Sequence, residues 1–282
     1  MCVIFFYANS EPTVNGYKLI LASNRDEFFA RDTQTAGEWS NGGHVYGGID
    51  LEPGREGGTW LAIGNGKGIF KVGALLNLTG EPKPRNAVGR GMIVASYVSQ
   101  TDIEHNIINY NQRLLADCTK YSAFNFVSIE IGSDAQPAQI KLLSNVPPTL
   151  LPFEQGQCYG FGNSLPDSPF EKVQYGRKHF EQIVREFGES DVDTLSAELL
   201  QLLKNKHKFW PDAELERRAP SWGEGLSALN VHISEHGYGS RTHSLILVDA
   251  NNKLHFIEET MRGLDPSAEW ERTHIEKQFK SA

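Results

Sequence analysis

The chain reads as an α+β fold: two antiparallel sheets with helices on their outer faces, four layers in one domain over residues 1–282. Three observations predict this. Strand-like segments and helix-like segments come in blocks, in the order strands, helices, strands, helices, strands. The strand-like segments are short and bounded by glycine, proline and asparagine turns. A chain of 282 residues can bury a sizeable core without dividing.

Each element has its own justification. Residues 2–7 and 17–22 are rich in β-branched and aromatic types, the composition of strands. Pro12 and Asn15-Gly16 lie between them and read as a hairpin turn. Pairing Tyr7 or Ala8 with Tyr17 sets Cys2 opposite about Ser23, within a residue or two. Glycine turns at Asn41-Gly42-Gly43, Gly47-Gly48 and Gly57-Gly58 separate the next short runs. Thr59–Ile63 reads as a strand, Gly64–Gly66 as a turn, and Gly68–Leu78 as a second strand containing Asn77. Gly89–Val98 reads as a helix. Thr101 and Glu104 have capping-box spacing ahead of Ile103, Ile107, Ile108, Leu114 and Leu115. Segments 122–131 and 140–143 read as a strand pair, and Cys158–Asn163 as a strand exit. Ser168-Pro169-Phe170-Glu171 reads as a capped helix start, with an apolar stripe of Phe170, Val173, Phe180, Ile183 and Val184. Thr194–Lys204 reads as another helix. Phe209–Gly225, with two prolines, two tryptophans and many charges, reads as a loop or lid. Val231–Ile233, Ser244–Asp249 and Lys253–Glu258 read as closing strands, with the last turn at Asn251-Asn252.

Composition excludes several classes. The net charge of −8 argues against a general nucleic-acid or acidic-lipid binder. No run approaches the roughly 18 apolar residues of a membrane span. The amino end lacks a basic segment followed by a cleavable apolar one, so no signal peptide is read and a cytoplasmic location is expected. Cys2, Cys118 and Cys158 are the three cysteines. Their odd number and spacing suit a reducing compartment and exclude a disulfide framework or a zinc ribbon. Cys118 and Cys158 read as small structural residues.

The chemistry concentrates at the amino end. Removal of Met1 would give Cys2 a free α-amine beside its thiol. An α-amine has a reference pKa of about 8, near that of a thiol, so it can serve as the thiol's own base. With Met1 attached, that nitrogen is an amide without base character. The first hairpin folds the charged tetrad Asn24-Arg25-Asp26-Glu27 back onto Cys2. The plain alternative is that the tetrad is a solvated strand exit, pairing with Arg31.

Weaker signals carry no site. Asn65-Gly66-Lys67-Gly68 lies between strands rather than before a helix, against a phosphate loop. Around His255, period-two spacing turns Glu258 away from His255 and Glu259, and no second histidine stands at a ligand spacing. Asn77-Leu78-Thr79 matches a glycosylation acceptor, which is moot in the cytoplasm.

Met1-Cys2, the tetrad, Gly57-Gly58-Thr59-Trp60, Gly162-Asn163-Ser164 followed by Pro169, and Tyr238-Gly239-Ser240-Arg241-Thr242 together resemble the NRDE family. The resemblance covers nearly the whole chain in the expected order. It implies an N-terminal-nucleophile (Ntn) hydrolase-like αββα sandwich, more distantly similar to the choloylglycine hydrolase and penicillin V acylase group. That similarity puts Cys2 at the nucleophile, Asp26 at the aspartate holding the α-amine, Asn77 near the oxyanion and Asn163 at the second asparagine. The hydrolases carry an arginine where this chain has Ser23. Arg25 should face opposite to Asp26 on a strand, and Arg241 is the candidate replacement.

Two functions follow. The resemblance to the family implies intracellular heme binding and trafficking, with heme as bound cargo and a heme-donor or heme-acceptor protein as partner. Asn24, Arg25, Glu27, Trp60, Arg241 and His243 are then the expected ligand-binding residues. Arg25 or Arg241 would pair with propionates, and Trp60, Trp210 or Trp222 would stack on the macrocycle. Among nine histidines, His243 and then His232 and His236 are the candidate iron ligands, though any one imidazole is more often structural. The alternative is hydrolysis of non-peptide amides or thioesters by Cys2, Asp26, Asn77, Asn163 and Arg241, which needs no cofactor. In either case the partner is a small hydrophobic molecule, heme or an acyl compound. A further alternative is a non-catalytic scaffold that contacts another protein through Phe209–Gly225.

Overall fold

A computed structural model describes residues 1–40, 43–100, 106–132 and 136–280. Two sheets stack face to face. In the first, the order is β10 (Cys158–Phe161), β1 (Val3–Ala8), β2 (Tyr17–Phe28), β12 (Tyr238–Asp249), β13 (Lys253–Met261) and β14 (Trp270–Gln278), with β11 (His232–Ile233) pairing β12. The second runs in chain order: β3 (Thr33–Glu38), β4 (Val45–Asp50), β5 (Leu61–Gly66), β6 (Ile69–Asn77), β7 (Phe124–Ile131), β8 (Gln139–Asn145) and β9 (Pro148–Phe153). The strand pairs in both sheets are antiparallel.

Strand alternation sorts the side chains into layers. Ile4, Phe6, Leu19, Leu21, Ile246 and Phe256 face the second sheet and meet Leu61, Val72, Val127 and Ile129. Val3, Phe5, Ile20, Ala22, Leu245 and Leu247 face outward against Phe170, Phe180, Leu199 and Leu203. Those last residues belong to α3 (Glu171–Phe187) and α4 (Val192–Leu203), or immediately precede α3. On the far side, Ala62, Leu75 and Phe126 pack under Val94, Tyr97 and Leu114 of α1 (Gly91–Ser99) and α2 (Ile107–Asp117). The result is the αββα layering that the sequence predicts. Helix α3 reaches the sheet closely because Gly176 has no side chain: a Cβ there would collide with the Phe5 ring.

Several local expectations are corrected. The hairpin register is Ala8↔Leu19 and Ile4↔Ser23, so Cys2 continues opposite Arg25, two residues beyond Ser23. The tetrad is not a strand exit. It lies inside β2, paired with β12 on its other side. The turn after β5 is Lys67-Gly68, both with positive φ, as a two-residue hairpin of primed type requires. Helix α2 is capped by Asn106, whose side chain accepts the Asn109 N–H at 2.9 Å. The capping-box pair Thr101 and Glu104, and Asn41-Gly42 of the first glycine turn, lie outside the described residues.

Helix α3 begins at Glu171 with no side-chain cap from its own segment. Asp212 supplies one from afar, accepting the Glu171 N–H at 2.8 Å through Oδ2 and the Leu215 N–H at 2.9 Å through Oδ1. Residues 209–225 are therefore not a plain loop. They contain α5 (Ala213–Arg218) and begin α6 (Gly223–Leu226), with Leu215 and Arg218 buried.

Candidate active site at the amino terminus

The register places residue 2 between two polar neighbours. On one side β1 continues against β2, bringing Cys2 beside Arg25. On the other, Ile4↔Phe161 continues to Cys2 beside Asn163. Alternation then divides the tetrad. Cys2 packs with the inter-sheet core, and Arg25 shares that face, stacked at 4.3 Å over Trp60. Asn24 and Asp26 point to the helix face, with Met1 and Val3.

Asp26 is the anchor. Its Oδ2 forms an ion pair with the Met1 α-ammonium at 2.9 Å, and its side chain is fully buried. Its Oδ1 accepts from Ser240 Oγ at 2.5 Å. The ammonium also donates to Tyr238 Oη at 2.6 Å. Burial pushes this amine below its usual pKa, against the attraction of Asp26. The Cys2 Sγ lies 3.8 Å from the Asp26 carbonyl oxygen. Burial pushes the thiol up, while the adjacent α-amine and Arg25 pull it down. Met1 itself is buried, with Thr79 Oγ1 donating to its sulfur at 3.0 Å.

The asparagines join the two sheets at the site, Asn77 ending β6 of the second sheet and Asn163 following β10 of the first. Asn163 Nδ2 donates to the Asn77 carbonyl at 2.5 Å, and the Thr79 N–H donates to the Asn163 carbonyl at 2.9 Å. Asn125 Nδ2 fixes the turn that presents Asn163, donating to the Ser164 carbonyl at 2.8 Å. Arg25 Nη1 and Asn163 Oδ1 are among the buried polar atoms in this region without a hydrogen-bond partner among the described residues, as are Asn125 Oδ1 and Ser164 Oγ. Unpaired buried polar atoms are costly, and a ligand is one way to satisfy them.

Other expected residues are placed elsewhere. Arg241 does not stand in for the missing hydrolase arginine. It occupies a β-bulge between the Ser240↔Asp26 and Thr242↔Arg25 pairs. A bulge re-aims its side chain, and the guanidinium donates to the carbonyls of Phe28, Phe29 and Arg31. It clamps the turn after β2. Arg25 is the arginine beside the thiol. Glu27 accepts from Arg31 at 3.1 Å, the pairing expected of the plain reading, and lies 3.9 Å from Arg25.

His243 is buried on the helix face. Its Nδ1 meets Asn24 Oδ1 at 2.7 Å, and its ring stacks on Trp270 at 4.8 Å. Asn24 in turn donates to the carbonyls of Leu203 and Leu229 at 2.8 and 2.9 Å, tying β2 to the helices. This pair is a structural link, directed away from Arg25 and Trp60. His236 stacks on Trp222 at 4.5 Å. Four surface cavities, of about 720, 600, 440 and 130 Å³, are not lined by Cys2, and Arg241 lines the smallest.

Sequence reasoning missed Lys172 and the individual roles of Tyr238 and Ser240. Lys172 is almost wholly buried, its Nζ donating to the Ala228 carbonyl at 3.0 Å and the Met1 carbonyl at 3.4 Å. Desolvation lowers its pKa, with Asp26 opposing. One signal was available: a cation in the first turn of a helix opposes the helix dipole, a local violation that often marks a site.

The family model described as Transport and Golgi organisation 2 matches residues 1–263. The chain is 74% identical to Transport and Golgi organization protein 2 of Drosophila melanogaster, covering all of this chain and 99% of that one. It is 33% identical to the Bos taurus homolog and 31% identical to the Homo sapiens homolog, with both chains covered in full. Among solved structures, Anbu from Hyphomicrobium sp. strain MC1 aligns with a TM-score of 0.37 at 12% identity, covering 88% of this chain and 82% of that one, a likeness too slight to bear on function. With the tetrad and its partners in place across the matched length, the chain belongs to the Transport and Golgi organisation 2 family.

Proposed function

We propose that this chain is an N-terminal-nucleophile hydrolase of non-peptide amides or thioesters, with Cys2 as nucleophile once Met1, as initiator methionine, is removed. The observation that carries the reading is the buried α-ammonium held by Asp26 at 2.9 Å beside the Cys2 thiol. A buried carboxylate committed to the chain's own amino group needs a reason, because desolvating both charges costs several kcal/mol per ion. Positioning a catalytic amine is such a reason.

Removal of Met1 generates the amine at residue 2, one strand residue or roughly 3.4 Å along. It also vacates the space of a buried side chain near Thr79 and Lys172. The new amine takes the thiol proton as Cys2 Sγ attacks the substrate carbonyl carbon. It then gives that proton to the leaving amine or thiol, forming an acyl-Cys2 thioester. Water, deprotonated by the same amine, releases the acid and restores the thiol. Arg25 favours the thiolate. Asn163 Nδ2 is spent on the Asn77 carbonyl, so the exposed Asn77 side chain is the donor left for the oxyanion.

Heme binding has one supporting feature, the unpaired Arg25 Nη1 above Trp60, which suits a carboxylate. Its candidate axial ligand, His243, is instead buried against Trp270 on the sheet face opposite Arg25 and Trp60. The names of the relatives speak of transport and Golgi organisation and state no reaction.

Turnover of acyl-amides and acyl-thioesters by Met1-free protein tests the proposal. Wild type should hydrolyse at least one class and Cys2→Ala should run at the buffer rate. Equal rates for the two proteins overturn it.

A further inference from the structure

We propose that His255, His274 and Glu276 form a binding site for a divalent transition-metal ion of the zinc class, away from the amino-terminal site. The residues come from two strands. His255 pairs with Glu276 and Ile257 with His274 in the β13–β14 ladder, so all three side chains share one sheet face. His274 lies 19 positions from His255, which is why no ligand spacing shows in the sequence.

The donor atoms converge. His255 Nδ1 lies 3.2 Å from His274 Nε2 and 3.5 Å from Glu276 Oε1, and His274 Nε2 lies 3.7 Å from that oxygen. The point equidistant from the corners of that triangle is about 2.0 Å from each, the length of Zn–N and Zn–O bonds. Two imidazoles and one carboxylate are a zinc-type donor set, borderline in softness.

The surroundings support the arrangement. Lys253 Nζ holds the other carboxylate oxygen, Oε2, at 2.7 Å, orienting Oε1 toward the rings as outer-shell partners do. His255 is buried, so its ring is held in place by the packing around it. His274 and Glu276 are 30% and 49% exposed, so an ion can enter from solvent and keep a water in a fourth position. The site would pin β14, an edge strand, to β13. Without metal, the two rings are joined by one N–H···N hydrogen bond.

The test is Zn²⁺ titration of the full chain by competition with a chromophoric chelator, with Co²⁺ absorption as a second readout. Wild type should take up one tightly bound equivalent and give the visible bands of tetrahedral Co²⁺. His274→Ala and Glu276→Gln change exposed side chains and should keep the far-UV circular dichroism. Each removes a direct ligand and should abolish the tightly bound equivalent and the Co²⁺ bands, while His207→Ala should behave as wild type. No binding by wild type, or wild-type binding by His274→Ala, overturns the proposal.

Discussion

Asp26→Asn is expected to lower the unfolding free energy by about 3–5 kcal/mol, the usual cost of removing one partner of a buried ion pair. The replacement keeps the shape of the side chain and removes the charge. It leaves the buried Met1 α-ammonium, 2.9 Å away, facing a neutral amide, and removes the carboxylate that opposes the desolvation of Lys172. Ser240 Oγ also loses its charged acceptor. Denaturant unfolding of the two proteins at pH 7 measures the difference. A loss under about 1 kcal/mol would put the pair on the footing of an exposed salt bridge and remove the argument that the amino terminus is held by design.

The second large effect is a dependence on pH. The His243 pKa is lowered to about 3, chiefly by burial and further by Lys204, whereas an unfolded histidine titrates near 6.5. Between those values the unfolded chain binds a proton that the folded chain does not. Stability from this group is therefore complete above about pH 6.5 and falls as pH drops toward 3. The loss is roughly 1.4 kcal/mol per pH unit at most, on top of what the carboxylates contribute. His243→Gln keeps a donor for Asn24 and removes the titration. Its unfolding free energy should decline less steeply between about pH 6 and pH 4, by close to one proton in the linkage slope. Parallel slopes for the two proteins would mean that His243 protonates freely in the fold.

What could be read in the sequence, and what could not, follows from where burial comes from. The first hairpin, the β12–β13 pair and the stripe of α3 were legible because their apolar residues follow the period of their own element. The burial of the tetrad was not legible, because four polar residues in a row normally end a strand. Here β12 pairs with it, α4 meets Asn24 on one face and Trp60 covers Arg25 on the other, so Asn24, Arg25 and Asp26 are buried by elements far away in sequence. Strand β14 was not anticipated, since Trp270–Gln278 is mostly charged. Charge along an exposed edge is how sheets discourage further pairing, and it erases the apolar alternation that marks a strand. Losing β14 also hid His274 from view. Strand β9 was missed for a similar reason: it is the opposite sheet's edge and contains Pro148 and Pro152, tolerated there because edge residues can do without a ladder donor.

Some of the geometry was legible: Cys2 lies beside Asp26, Asn163 meets the Asn77 carbonyl, and the period-two rule turned Arg25 away from Asp26. That same rule puts Arg25, rather than Arg241, on the face of the thiol. The bulge that redirects Arg241 has no sequence marker in Ser240-Arg241-Thr242. Lys172 was hidden because a lysine beside an apolar stripe usually extends to solvent.

The most direct test of the central claim is the mass of residue 2 during turnover. Met1-free protein incubated with an acyl thioester, quenched in acid and mapped by peptide mass, should carry the acyl group on Cys2. Cys118 is buried, and burial raises the Cys158 thiol to about 12, so neither should compete. An acyl group on another residue, or steady hydrolysis with Cys2 never modified, would contradict the account.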